Sequence, residues 1–183
     1  IEIKSWQIEQ AISMFNSLNS TGMPLSDADI ISAQLYANSA TDTERFSETW
    51  ARINRLASDM NSHKLINIDG VLQEAMYIFR SKNKEYGKGD VTTPGIRKYY
   101  MIEHPELLKE PIKLCGCFEK ILQIWDTIKD YPIVKLMLKF NENSKLFLIS
   151  YLNRYEPKEI SKQTVEPIVE CLIRLFAVNE LVD

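Results

Sequence analysis

The sequence predicts an all-α protein, an irregular multi-helix bundle of roughly seven to nine helices. Three observations point there. Apolar residues recur at intervals of three and four along most of the chain, and glycines and prolines fall mainly between these stripes. Only Ile1-Glu2-Ile3 alternates like a strand, and we read it as a short strand remnant at the N-terminus.

The stripes follow in order. Ile8, Ala11, Ile12, Phe15 and Leu18 mark a first helix, and Ile30, Ile31 and Leu35 with nearby alanines a shorter second. Phe46, Trp50, Ile53, Ala57 and Met60 give a third, and Val71, Leu72, Ala75, Met76 and Phe79 a fourth. Leu114, Phe118, Ile121, Leu122, Trp125 and Ile128 form the longest. Leu146, Ile149 and Leu152, then Val165, Val169, Leu172, Ile173 and Phe176, close the chain. Stripes of this kind are the inward faces of packed helices. Breaks are expected at Gly22 and Pro24, Gly87 and Gly89, Pro94 and Gly95, Pro132 and Pro157. Pro111 and Pro167 coincide with helical patterns, so each marks a first turn or a kink. Asp69 is read as a helix cap. Residues 81–95, rich in Lys, Asn, Gly and Thr, are the best loop. The chain is therefore one helical domain over 1–183, or two helical subdomains, 1–80 and 95–183, joined by a basic loop.

Composition excludes several classes. At 183 residues, 45% hydrophobic and 26% charged, the chain can bury a full core and is not of disordered type. A net charge of −3 gives no global attraction to nucleic acid or anionic lipid. No apolar run approaches the roughly 20 residues of a membrane span, and no stretch resembles a signal peptide. We expect a cytoplasmic protein without a membrane partner. The first residue is Ile1 rather than Met, so a piece of a longer protein is expected. Cys115, Cys117 and Cys171 are odd in number and lack metal-ligand spacing, which fits a reducing compartment and buried small hydrophobes. His63 and His104 are isolated, so no metal site is expected. With no Gly-rich phosphate loop or His-based triad, no catalytic residue is expected.

One stretch, N-S-L-N-S-T-G-M-P-L-S-D-A-D-I over 16–30, stands out. Gly22 suits a left-handed turn and Pro24 prevents helical continuation. Ser26 can accept from the amide of Asp29 while Asp29 returns to the amide of Ser26, a capping box with Asp in place of Glu. Asp27 and Asp29 both suit the positive end of a helix dipole. Asn16 and Asn19 are poor helix formers. They either bond loose carbonyls at the helix end or, with Gly22 and the following helix N-terminus, offer donors to a phosphate or carboxylate. Asn16, Asn19, Gly22, Ser26 and Asp29 are thus the candidate ligand-binding set.

Ala11, Phe15, Leu18, Asn19, Gly22, Leu25, Ser26, Asp29 and Ile30 spell A-x-x-x-F-x-x-L-N-x-x-G-x-x-L-S-x-x-D-I. This pattern, within Ile8 to Tyr36, resembles the signature in the second half of the GmrSD-type domain of restriction-system proteins. The resemblance implies a bacterial protein with a ParB-like α/β half upstream of this helical half. It also implies, in many members, an HNH-type nuclease domain downstream, with nucleotide hydrolysis and cutting of modified foreign DNA. Asn16, Thr21 and Ser32 stand where the family often has Glu, Arg and Lys. The family's D-G-Q-Q-R motif is missing, and Asp69-Gly70 matches it for two residues only.

Residues 80–100 are basic and aromatic. Lys82, Lys84, Lys88, Arg97 and Lys98, with Arg80, can neutralise phosphates, and Tyr86, Tyr99 and Tyr100 can stack on bases. The alternative is a solvated loop and a short helix whose tyrosines dock on the core. The expectation is a non-catalytic helical portion of a restriction or anti-phage protein. Its 16–30 corner would complete a nucleotide pocket shared with the ParB-like domain. Asn19 and Gly22 would shape that pocket, with Asp29 capping or behind them. No cofactor is expected within this stretch itself; a nucleoside triphosphate belongs to the whole protein, and DNA is a candidate partner. The alternatives are a helical scaffold or protein-interaction module with no ligand, and a nucleic-acid-binding domain using residues 80–100.

Overall fold

Helical periodicity organises residues 25–85 and 95–182, the part that the computed structural model describes, into eight α-helices without a strand. They are α1 (Asp27–Asn38), α2 (Thr43–Ser62), α3 (Ile68–Asn83), α4 (Ile96–Lys98), α5 (Pro111–Ile128), α6 (Pro132–Phe140), α7 (Ser144–Leu152) and α8 (Lys162–Val182). The protein is all-α, as its stripes predict. The Ile8–Leu18 stripe, the strand-like Ile1–Ile3 and the candidates Asn16, Asn19, Gly22 and Lys88 lie outside the described residues.

The stripes become the core. α2 buries Phe46, Ile53, Ala57 and Met60, and α5 buries Leu114, Phe118, Ile121, Leu122, Trp125 and Ile128. These two helices pack along each other, and α3 inserts beside them, touching α1, α2, α4, α5 and α7. One hydrophobic cluster runs from Ala28 to Leu172 and draws on both sides of the 86–94 segment. Each fully buried aliphatic or aromatic side chain there contributes about 1.5–3 kcal/mol. α6 and α8 pack chiefly on each other, and α7 links them to α3 and α5.

Prolines act locally as their chemistry requires. Pro111 and Pro132 open α5 and α6, where the missing amide proton costs nothing. Pro167 sits inside α8 and withholds one backbone hydrogen bond.

Several expectations are corrected. Asp69 is a helix cap, but for the start of α1 and not for its own helix, where the side chain of Asn67 accepts from the amide of Gly70 at 2.8 Å and caps α3. α6 carries no stripe in our reading, because a nine-residue helix burying Val134 and Met137 offers too little periodicity. α3 continues to Asn83, past the expected loop start, and closes with Lys84 in the left-handed region at φ 57°. Cys171 is exposed on α8 rather than buried. α4 passes directly into a π-helical turn, Tyr99–Glu103, closed by the amide of His104 on the carbonyl of Tyr99 at 2.8 Å. A 3-10 turn, Pro105–Lys109, then leads to α5.

Candidate functional site

The described part of the 16–30 corner is a helix start held from three directions. Ser26 Oγ accepts from the amide of Asp29 at 3.1 Å, and Asp29 Oδ2 accepts from the Ser26 amide at 3.1 Å and hydroxyl at 2.9 Å. The capping box therefore forms as its spacing predicts. Asp69 Oδ1, on α3, accepts from the amide of Ala28 at 2.9 Å. Arg97, on α4, donates to Asp27 Oδ1 through Nε at 3.1 Å and Nη2 at 2.7 Å. The amides of Ala28 and Asp29 at the start of α1 are thus taken up by protein oxygens. Ser26 and Asp29 serve each other, and an anion at this end would have to displace Ser26 or Asp69.

The basic segment is divided. Arg97 is bound to Asp27, and Lys98 pairs with Glu103 at 3.1 Å. Lys82 and Lys84 are exposed near the end of α3. Lys82 lines a cavity of about 180 Å³ with Lys113 and Lys120. Tyr99 and Tyr100 are fully buried, and Tyr100 Oη donates to the carbonyl of Leu72 at 2.9 Å. The expectation that these rings stack on bases is therefore corrected: they are core residues, as the docked-tyrosine alternative held.

A third feature escaped the sequence. The α2–α3 turn, the first half of α3 and the start of α7 line an open cavity of about 460 Å³. Asn61, Lys64, Glu142 and Asn143 form its exposed rim, and Ile66 and Glu74 are its buried walls. Lys64 turns the chain with a left-handed φ of 59°. Gly70 is needed where α3 closes on that turn: a Cβ there would meet Ile66 Cγ1 at 2.7 Å.

Glu74 is only 3% exposed. Its Oε2 accepts from Trp125 Nε1, on α5, at 3.0 Å. Burial pushes its carboxyl up from the ordinary 4.5 to about 8, against the opposing pull of the Trp125 bond and of the Lys145 charge. It is therefore largely protonated at neutral pH and retains a proton to donate. Lys145 itself is 20% exposed and stands 4.0 Å from the exposed Glu142. One sequence signal could have found Glu74. It occupies the apolar stripe of α3, three residues after Val71 and four before Ile78, where a carboxyl must be paired, protonated or in use.

The thiols are poor nucleophiles where they are covered: burial pushes Cys115 up to about 12 and raises Cys117. Among the described residues, no three His, Cys, Asp or Glu side chains are grouped to hold a metal, and no helix is long and apolar enough to cross a membrane. No protein-family model matches this chain, and no curated protein or solved structure is significantly similar to it.

Proposed function

We propose that this chain is the non-catalytic helical portion of a GmrSD-type restriction or anti-phage protein. In this reading it presents the 16–30 corner to a nucleotide pocket completed by a ParB-like domain. The observation that carries the reading is the triple anchoring of the α1 N-terminus. Asp69 holds the Ala28 amide, Arg97 holds Asp27, and Ser26 closes on Asp29. A turn that only joined two helices needs the local cap, worth about 1 kcal/mol. Two further attachments, from α3 and α4, fix the N-terminal end of α1 against neighbouring helices. Ser26 and Asp29 are then the mount, and Asn16, Asn19 and Gly22 the part that meets the ligand. The nucleoside triphosphate, its turnover and the DNA target belong to the whole protein, with an HNH-type nuclease domain as the further partner.

The scaffold reading has an observation of its own, since Ser26 and Asp29 already satisfy one another. Mutation in the full-length protein separates the two. Asn19→Ala is expected to abolish nucleotide turnover with the melting temperature nearly unchanged. Ser26→Ala, the control, is expected to lower stability by about 1 kcal/mol. A variant of Asn19 that melts earlier yet turns over nucleotide normally favours the scaffold and refutes the pocket.

A further inference from the structure

We propose that the cavity beside the α2–α3 turn binds a small anion, a molecule bearing a carboxylate or phosphate group. Lys145 is its charge partner and the buried Glu74 carboxyl a hydrogen-bond donor to it. The inference is independent of the nucleotide reading and concerns residues that reading does not use.

Three observations carry it. The first is the placing of Glu74. Burying a carboxyl is costly unless its polar atoms are satisfied, and the Trp125 bond engages Oε2. Glu74, although only 3% exposed, also forms a wall of an open cavity of about 460 Å³ whose lining is mostly polar. The second is the sign of the charges. Lys64, at the exposed rim, and Lys145 are positive, while the one other acid on the wall, Glu142, is 82% exposed and meets Lys145 only at 4.0 Å. A cationic ligand would meet Lys145 in the partly buried interior, where like charges are costly. An anion meets an ammonium group and an acid proton, both donors. The third is size. The volume falls in the range of small-molecule sites, roughly 300–1,000 Å³, and exceeds what a bare oxyanion fills. Amides of Asn61, Gln73 and Asn143 are available to the rest of the molecule.

The same geometry sets a pH dependence. The polar and charged groups around Glu74 are Trp125 on α5, Tyr77 and Gln73 on its own helix, Lys64 in the turn, and Glu142 and Lys145 at the start of α7. Lys145 favours the ionised form and burial opposes it, so the proton is held until about pH 8. Above that the carboxylate accepts instead of donating and repels the ligand.

The test is isothermal titration of the whole chain at matched ionic strength, with inorganic phosphate and succinate as probes and agmatine as the cationic control. Saturable binding of at least one anion is expected near neutral pH, lost at about pH 9. The probe that binds distinguishes phosphate from carboxylate. Lys145→Met is expected to weaken binding about tenfold or more. Glu74→Gln keeps an N–H donor and a Trp125 acceptor, so it is expected to retain binding and to abolish the loss between pH 7 and 9. No saturable binding by either anion, affinity unchanged in Lys145→Met, or binding of agmatine instead would overturn the proposal.

Discussion

At the scale of single residues, Glu74 determines how stability follows pH. Its carboxyl is raised in the folded chain to about 8 from the ordinary 4.5 that the unfolded chain keeps. Between these values the native state holds a proton that the unfolded state does not. Unfolding then releases a proton, so stability falls as pH rises through this window and levels off above it. The contribution is fully present below 4.5 and lost above about 8, a decline of roughly 4–5 kcal/mol across the window. Chemical unfolding of wild type and Glu74→Gln at a series of pH values measures it. The variant is expected to show a flatter profile and to exceed wild type at pH 9. Parallel profiles would mean that Glu74 does not hold its proton in the core. Tyr99 shows the same cost in another form. Its Oη is buried with no hydrogen-bond partner among the described residues, and burial pushes the phenol well above its ordinary range.

At the scale of elements, α1 shows which links a sequence can disclose. The Ser26–Asp29 box spans three residues, so spacing alone exposes it. Asp69 reaches Ala28 from 41 residues away and Arg97 reaches Asp27 from 70 away, and nothing local marks either pairing. Asp69 therefore reads as the cap of its own helix when it caps another. Removing it leaves the Ala28 amide without its acceptor near the positive end of α1. Asp69→Ala is expected to cost about 1–2 kcal/mol, measured by denaturant titration, and to raise amide exchange at residues 28–31. A change below about 0.3 kcal/mol would show that water replaces the carboxylate freely. Its effect and that of Ser26→Ala should combine non-additively, because both act on the same helix start.

At the scale of the whole molecule, the long stripes were legible because α2, α3 and α5 each repeat their apolar pattern over several turns. The short α6 and the π turn at Tyr99–Glu103 were not, since a handful of residues carries no period. The cavity was hidden for another reason: three separated segments build it, and only Glu74 within an apolar stripe hinted at it. Packing also grades the bundle. α3 contacts five other helices, whereas α6 and α8 lean mainly on each other. Native-state hydrogen exchange is expected to be slowest in α3 and α5, with α6 and α8 opening together at lower free energy. Equal protection in all of them would contradict this grading.

Among the described residues, α7 is the main link from that outlying pair to α3 and α5, and Lys145 lies in its first turn. A cut or docked neighbour that loosens this pair would therefore be passed through α7 to the lysine. The cavity beside it would then respond to events in helices that do not line it.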